Sequence, residues 1–186
     1  AHGIGRSIAL SLASRGVNIV VVDLDHDALD EATRMIEQRS SKALPIIQDV
    51  ASLDAFEKIR AAASQSFGQV DILVNNAAIL CSGALEDIPI AQWERMIEVN
   101  LLSIIRSTKL FVPEMTARGS GHIVNTSSFA ALFPYSVDRM PYVTTKAALV
   151  SFTESLALYV KPMGVGVTLL LPGPVRTDIA SRSQRF

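Results

Sequence analysis

Five short apolar runs, separated by longer stretches of helical periodicity, constrain this chain more than any other feature. Val17–Asp23, Ala43–Asp49, Val70–Asn75, His122–Thr126 and Val165–Leu171 are nearly all apolar through their centres. Hydrophobicity without alternation over a strand's length describes strands covered on both faces, as in a parallel sheet packed under helices. Between the runs, Arg6–Arg15 places Ile8 and Leu12 four apart with Gly16 as a stop, and Asp27–Arg39 carries Leu29, Ala32, Met35 and Ile36 on one stripe. Ser52 is positioned to cap a helix from Leu53 to about Phe67, ended by Gly68. Ile90–Met115 and Tyr142–Val160 read as two longer helices. Strand, helix and strand repeated with crossovers of this length predict right-handed βαβ units and an α/β fold, a doubly wound parallel sheet in three αβα layers.

Composition removes several classes. The 186 residues contain 17 Lys+Arg against 18 Asp+Glu, with the basic residues scattered, so the chain offers no basic surface for nucleic acid. The apolar segment Leu101–Val112 is interrupted by Ser103, Arg106, Ser107 and Lys109, which excludes a spanning helix. One cysteine, Cys81, builds no disulfide framework and fits a reducing, cytoplasmic setting. His2, His26 and His122 have no spacing that supports a metal-ligand cluster. No repeat or polar linker divides the chain, so residues 1–186 read as a single domain.

The candidate chemistry lies at the ends of the apolar runs. Gly3-Ile4-Gly5 opens the first helix, where glycine lets backbone approach an anion and the free N–H groups supply positive potential for a pyrophosphate. Three such residues alone are equally an ordinary turn. Asp23 ends the next run, 18 positions after Gly5, where an acid can bind ribose hydroxyls and repel a 2′-phosphate, favouring NAD over NADP. His2 competes as a cation beside the loop, although it is mostly neutral at pH 7. Tyr142 and Lys146 stand at i and i+4 on one helix face, and a neighbouring ammonium is expected to lower the phenol towards working pH. Ser127-Ser128, Asn75-Asn76-Ala77-Ala78 and Pro172-Gly173-Pro174-Val175-Arg176-Thr177 each follow an apolar run, and Asn100 sits inside an apolar helix, where an amide needs partners.

Taken in order, GIG, the strand-end Asp23, Asp49-Val50, NNAA, Asn100, the SS after IVNT, YxxxK and PGPVRT resemble the short-chain dehydrogenase/reductases along essentially the whole chain. The resemblance implies a Rossmann-type fold and hydride transfer between NAD(H) and a secondary alcohol or ketone. It places Gly3, Ile4 and Gly5 at the pyrophosphate, Asp23 and Leu24 at the adenosine ribose, and Asp49 and Val50 around the adenine. Asn76, Ala77 and Ala78 would flank the ribose and nicotinamide. Pro172, Gly173, Val175 and Thr177 would hold the carboxamide end. The catalytic set implied is Asn100, Ser128, Tyr142 and Lys146: Tyr142 exchanging the proton, Ser128 polarising the carbonyl, Lys146 holding the ribose and tuning Tyr142, Asn100 keeping a relay water. A homo-oligomer acting on a small molecule is implied as well.

Three departures matter. Ala78 stands where the family usually has glycine; Ser128 and Tyr142 are 14 positions apart, one more than usual, which suggests an insertion in Phe129–Pro141; Ser127 is the alternative serine. Phe133, Tyr135 and Met140 are expected to line or gate the substrate pocket. The family's first strand and last strand and lid are expected to be missing from the chain. An NADP-dependent carbonyl or 3-oxoacyl reductase, and a silent binding subunit, remain as alternative readings.

Overall fold

The structure, a computed structural model, describes residues 1–133, 136–177, 179 and 181–186. It divides into two compact units.

The first unit comprises Ala1–Val70 with Arg176 and Thr177. Helix α1 (Gly3–Ala13) leads to strand β1 (Ile19–Asp23), helix α2 (His26–Glu37), strand β2 (Ala43–Ile47) and helix α3 (Ala55–Phe67). β1 and β2 pair in parallel, with Ile19 beside Ala43 and Asp23 beside Ile47. The predicted stripe on α2 supplies the core: Leu29, Ala32 and Ile36 are buried with Ala13, Ile19 and Val21, while Met35 stays at the margin. Asp25 caps α2 by accepting the Ala28 N–H at 3.1 Å.

Two expectations fail here. Apolar continuity does not give β2 two covered faces, since Pro45 and Ile47 are exposed, and a proline has no N–H to give a ladder. The third helix starts at Ala55, not Leu53, and its cap position is Asp54, not Ser52. The Asp54 carboxylate makes no capping bond because it is drawn four residues along to the Lys58 ammonium at 2.7 Å.

The second unit comprises Asp71–Val175 and the described residues of 179–186. Strands β3 (Ile72–Asn75), β5 (Gly121–Thr126) and β6 (Val165–Leu170) form a parallel sheet in the order β3-β5-β6. Short β4 (Cys81–Ser82) pairs with β7 (Gln184–Arg185). The expected helix Ile90–Met115 is in fact α4 (Ile90–Ile97), a π-helical turn at Glu98–Leu102, and α5 (Ser103–Arg118). The widened turn carries Asn100, which is fully buried. Helix α6 (Met140–Val160) then returns to β6. No helix among the described residues is long and apolar enough to cross a membrane.

Register explains the polar interior of this unit. β3 and β5 align Asn75 with Asn125, and Asn75 Nδ2 donates to Asn125 Oδ1 at 2.8 Å. Ser107 on α5 donates to Asn75 Oδ1 at 2.8 Å, and Asn125 Nδ2 donates to Thr153 Oγ1 on α6 at 3.0 Å. Four buried polar side chains thus join two strands to two helices, each hydrogen-bonded within the set, the condition under which buried polar groups are tolerated. Asn125→Ala strands the Asn75 amide and is expected to cost about 3 kcal/mol in urea unfolding. Adding Asn75→Ala to that variant should cost clearly less than Asn75→Ala costs alone; strict additivity would contradict the network.

Candidate active site

In the second unit, β5 and α6 are stitched together in both directions. Lys146 Nζ donates to the Thr126 carbonyl at 2.8 Å, and Ser127 Oγ donates to the Lys146 carbonyl at 2.7 Å. These bonds decide between the two serines. Ser127 is buried and spent on the helix backbone, whereas Ser128 is hydrogen-bonded to the Tyr142 side chain. The Ser128 hydroxyl also accepts the Ala130 N–H at 3.2 Å, which starts the single 3₁₀ turn Phe129–Leu132. Ser128 and Lys146 therefore both stand beside Tyr142, the grouping that the family resemblance implies, with the longer Ser128–Tyr142 separation accommodated.

Their electrostatics differ from expectation. Burial pushes the Tyr142 phenol above its ordinary value, opposed by the Ser128 hydrogen bond and the Arg139 charge. The predicted lowering by Lys146 is not seen, because the lysine is itself disfavoured as a cation. At 1% exposure, burial pulls its value down to about 8 from an ordinary 10.5. Its Nζ lies 5.7 Å from the centre of the Tyr142 ring.

Asn100 is present but differently employed. Its Nδ2 donates to the Ile79 carbonyl at 2.9 Å and to Thr145 Oγ1 at 3.3 Å, while its Oδ1 accepts the Ile79 N–H at 2.9 Å. The side chain thus grips one residue of the segment leaving β3 by both backbone groups. Ile79 and Tyr142 then pack on the buried cluster of Cys81, Ile88 and Met96, beside Trp93. Burial pushes the Cys81 thiol up, and its Sγ lies 3.2 Å from Met96 Sδ. Met96 is buried in that cluster and Trp93 packs against it, partly buried.

The remaining positions of this unit sit around the strand ends. Asn76, Ala77 and Ala78 form the extended exit from β3, with Ala77 exposed. The Pro172 carbonyl accepts the Phe129 N–H at 3.0 Å, and Leu170 accepts that of Ser127 at 2.9 Å, tying the exit of β6 to the serine loop. Gly173 has open space around it, and Val175 is exposed. Phe133 stacks on Phe129 at 4.6 Å and both are partly exposed; Met140 is half-buried, and Tyr135 lies outside the described residues.

The first unit holds the glycine loop. The first bond of α1 is Arg6 N–H to the His2 carbonyl at 3.0 Å, so the N–H groups of Gly3, Ile4 and Gly5 precede the helical ladder. Gly3 has φ +47°, and a Cβ there would stand 2.9 Å from Thr177 Cγ2. Backbone conformation and close approach thus both demand glycine, and Thr177 lies against the loop. Asp23 ends β1 with Oδ1 accepting the N–H groups of Leu24 (2.8 Å) and Asp25 (3.1 Å) and Oδ2 bonded to the Ala1 ammonium. Partial burial raises the Asp23 carboxyl, but the ammonium and these N–H groups outweigh it and leave a net lowering. His2 is 3.5 Å from Asp23 and 3.3 Å from Asp25, so the competing cation is flanked by two carboxylates. Leu24 is exposed, and Asp49 holds its own turn, accepting the Ala51 N–H at 2.9 Å, with Val50 half-buried next to it. Among the described residues no three His, Cys, Asp or Glu converge as a metal site.

Some partners carried no motif signal: Thr145 and Ile79 hold Asn100, yet each is of ordinary type for its element, while Ser127, the alternative serine, proves to bond the Lys146 backbone. Only Asn125, an amide inside an apolar run, carried a signal that could have been followed.

Comparison with known proteins agrees in full length. The short chain dehydrogenase family model matches residues 1–185. The probable oxidoreductase EphD of Mycobacterium tuberculosis is 36% identical over 180 residues, which are 96% of this chain and 30% of that protein. The chain thus spans under a third of that relative. Dehydrogenase/reductase SDR family member 4 of Bos taurus is 35% identical over 96% of this chain and 64% of its own length. A Burkholderia phymatum short chain dehydrogenase/reductase, solved in complex with NAD, superposes with a TM-score of 0.92 at 31% identity, covering 97% of this chain and 65% of its own. A Mycobacterium marinum short-chain type dehydrogenase/reductase gives 0.91 at 29%, covering 96% and 71%.

Lys146 also makes a stability statement. Because its folded value is depressed, the unfolded chain binds more protons between pH 8 and 10.5, so stability rises with pH across that window and carries the full burial cost below it. Lys146→Met, which keeps the packing and removes the charge, is expected to stabilise the protein at pH 7 by about 2 kcal/mol, net of one lost hydrogen bond. It should also flatten the rise between pH 8 and 10.5. Denaturant melts of both proteins at pH 7 and pH 10 read this, and a destabilised variant at pH 7 would refute the assignment.

Proposed function

The chain belongs to the short-chain dehydrogenase family, an oxidoreductase family, and on that premise we propose that it interconverts a secondary alcohol and its ketone with NAD(H). The observation that carries this reading is the partly buried Tyr142 phenol, hydrogen-bonded to Ser128 and one helical turn from Lys146.

The chain's residues fit the cofactor. A glycine that no Cβ could replace opens a helix whose first N–H groups precede its ladder, which suits a pyrophosphate. A carboxylate held in its ionised form at the end of β1 suits ribose hydroxyls. On this reading Gly3, Ile4, Gly5, Asp23, Leu24, Asp49 and Val50 hold the adenosine half. Asn76, Ala77, Ala78, Pro172, Gly173, Val175, Thr177, Tyr142 and Lys146 hold the nicotinamide half. When bound, the nicotinamide supplies the two-electron chemistry.

The proton belongs to the protein. Tyr142 Oη gives it to the substrate oxygen in reduction and takes it in oxidation, and a phenol raised by burial is protonated at neutral pH, ready for the first role. Ser128 orients the carbonyl and shares the Tyr142 hydrogen bond. Lys146 holds the ribose and, in its charged form, stabilises the phenolate. Asn100 fixes Ile79 through both backbone groups, and the relay water that the resemblance implies is assigned to the same residue. NAD is favoured over NADP because an acid at the end of β1 suits ribose hydroxyls and repels a 2′-phosphate, and the competing His2 stands between Asp23 and Asp25. A homo-oligomer is part of the same reading, supported by Leu158 and Tyr159, which are 77% and 67% exposed on α6.

Tyr142→Phe is expected to lower turnover about 10²- to 10⁴-fold while leaving NADH affinity nearly unchanged. Retained turnover would end the mechanism proposed. Like charges a few ångström apart repel by up to about 4 kcal/mol near a protein surface, so Asp23→Ala should improve NADP relative to NAD by about tenfold or more. A native preference for NADP in the same titration would favour the alternative of an NADP-dependent reductase.

A further inference from the structure

The segment that Asn100 grips at Ile79 makes three more attachments within the next four residues. Cys81 enters the buried cluster on which Tyr142 packs. β4 pairs with β7, Cys81 beside Gln184 and Ser82 beside Arg185, and the Phe186 N–H donates to the Ser82 carbonyl at 2.9 Å. The Gly83 N–H donates to the Asp138 carbonyl at 2.9 Å, and Asp138 lies in the loop that joins Ser128 to Tyr142. Gly83 is where these meet. A Cβ there would lie 3.0 Å from both the Cβ and the carbonyl oxygen of Phe186, and 3.2 Å from Ile88 Cγ1. Its φ is not left-handed, so closeness of neighbours, not backbone conformation, is what disfavours a side chain.

We propose that Gly83 is a specificity-positioning residue, which lets the Ser128–Tyr142 loop and the Gln184–Phe186 segment seat on one strand and so sets the room left for the substrate's apolar groups. The inference rests on the alcohol dehydrogenase reading above. The loop it anchors carries the exposed apolar side chains Phe129, Leu132, Phe133 and Val137, a surface suited to the non-reacting part of an alcohol. A methyl group at position 83 requires Phe186, whose carbonyl oxygen is one of the close contacts, or β4 itself to give by a few tenths of an ångström. Either displacement changes the fit of bulky and slender substrates unequally and leaves the cofactor contacts alone.

The test compares wild type, Gly83→Ala and Phe186→Ala, the last removing the opposing side chain without adding an atom to β4. With NAD and the probes 2-propanol, cyclohexanol and 1-phenylethanol, the ratio of kcat/KM for 1-phenylethanol to that for 2-propanol should shift about tenfold, chiefly through KM, with NADH affinity within about twofold. Amide exchange at Gly83 and Phe186, protected in wild type, should accelerate about tenfold or more in Gly83→Ala. A uniform loss over all three alcohols, or unchanged ratios despite faster exchange, would reduce Gly83 to a structural role and overturn the proposal, as would unaltered exchange. A wild type that binds NADH but oxidises none of the alcohols would count against the substrate reading, and exchange would still decide whether Gly83 seats the two segments.

Discussion

The site depends on a charge placed where water cannot reach it. Lys146 is buried on α6 with the Thr126 carbonyl as its hydrogen-bond acceptor, and the return bond from Ser127 to the Lys146 backbone makes the junction of helix and strand reciprocal. One consequence is geometric: with Ser127 pinned to the helix, the next residue turns its hydroxyl to Tyr142. The other is energetic. A buried ammonium without a carboxylate is costly, and the chain tolerates it because β5 and α6 are held by other means.

Those other means are amides and hydroxyls. Asn75, Asn125, Ser107 and Thr153 form a closed set across two strands and two helices, so β5 cannot slide by one residue without breaking it. Asn100 does for the loop after β3 what that set does for the strands. The π turn swings this side chain out of the regular helical ladder, and it fastens Ile79 through both backbone groups. The wall beside Tyr142, from Ile79 through Cys81 to Met96, is therefore positioned by polar bonds at its edge and filled by apolar packing behind.

Much of this was legible in the residues, for stated reasons. Gly3, Asp23 and the Tyr142/Lys146 pair were readable because their chemistry demands particular side chains at particular spacings, and the apolar runs named the strands to within a few residues. What escaped depends on partners distant in sequence. Nothing local distinguishes an α from a π turn at Glu98–Leu102, since the widening follows from where Asn100 must reach. The outer face of β2 is bare because of what does not pack on it, which hydrophobicity at Pro45 and Ile47 cannot reveal. Asp54 lost its capping role to Lys58, a competition between two plausible partners. The direction of the Tyr142 shift also required burial, because the i, i+4 lysine lowers a phenol only while it is itself charged.

That last point links stability to chemistry. Burial pushes the phenol up and pulls the ammonium down to about 8, so both groups move towards their neutral forms, while the lysine keeps most of its charge at pH 7. Each shift has the same origin, the exclusion of water from the end of α6. On the proposed reading, ribose oxygens accepting from Lys146 would keep its ammonium charged to higher pH, and that charge would favour the ionised phenol.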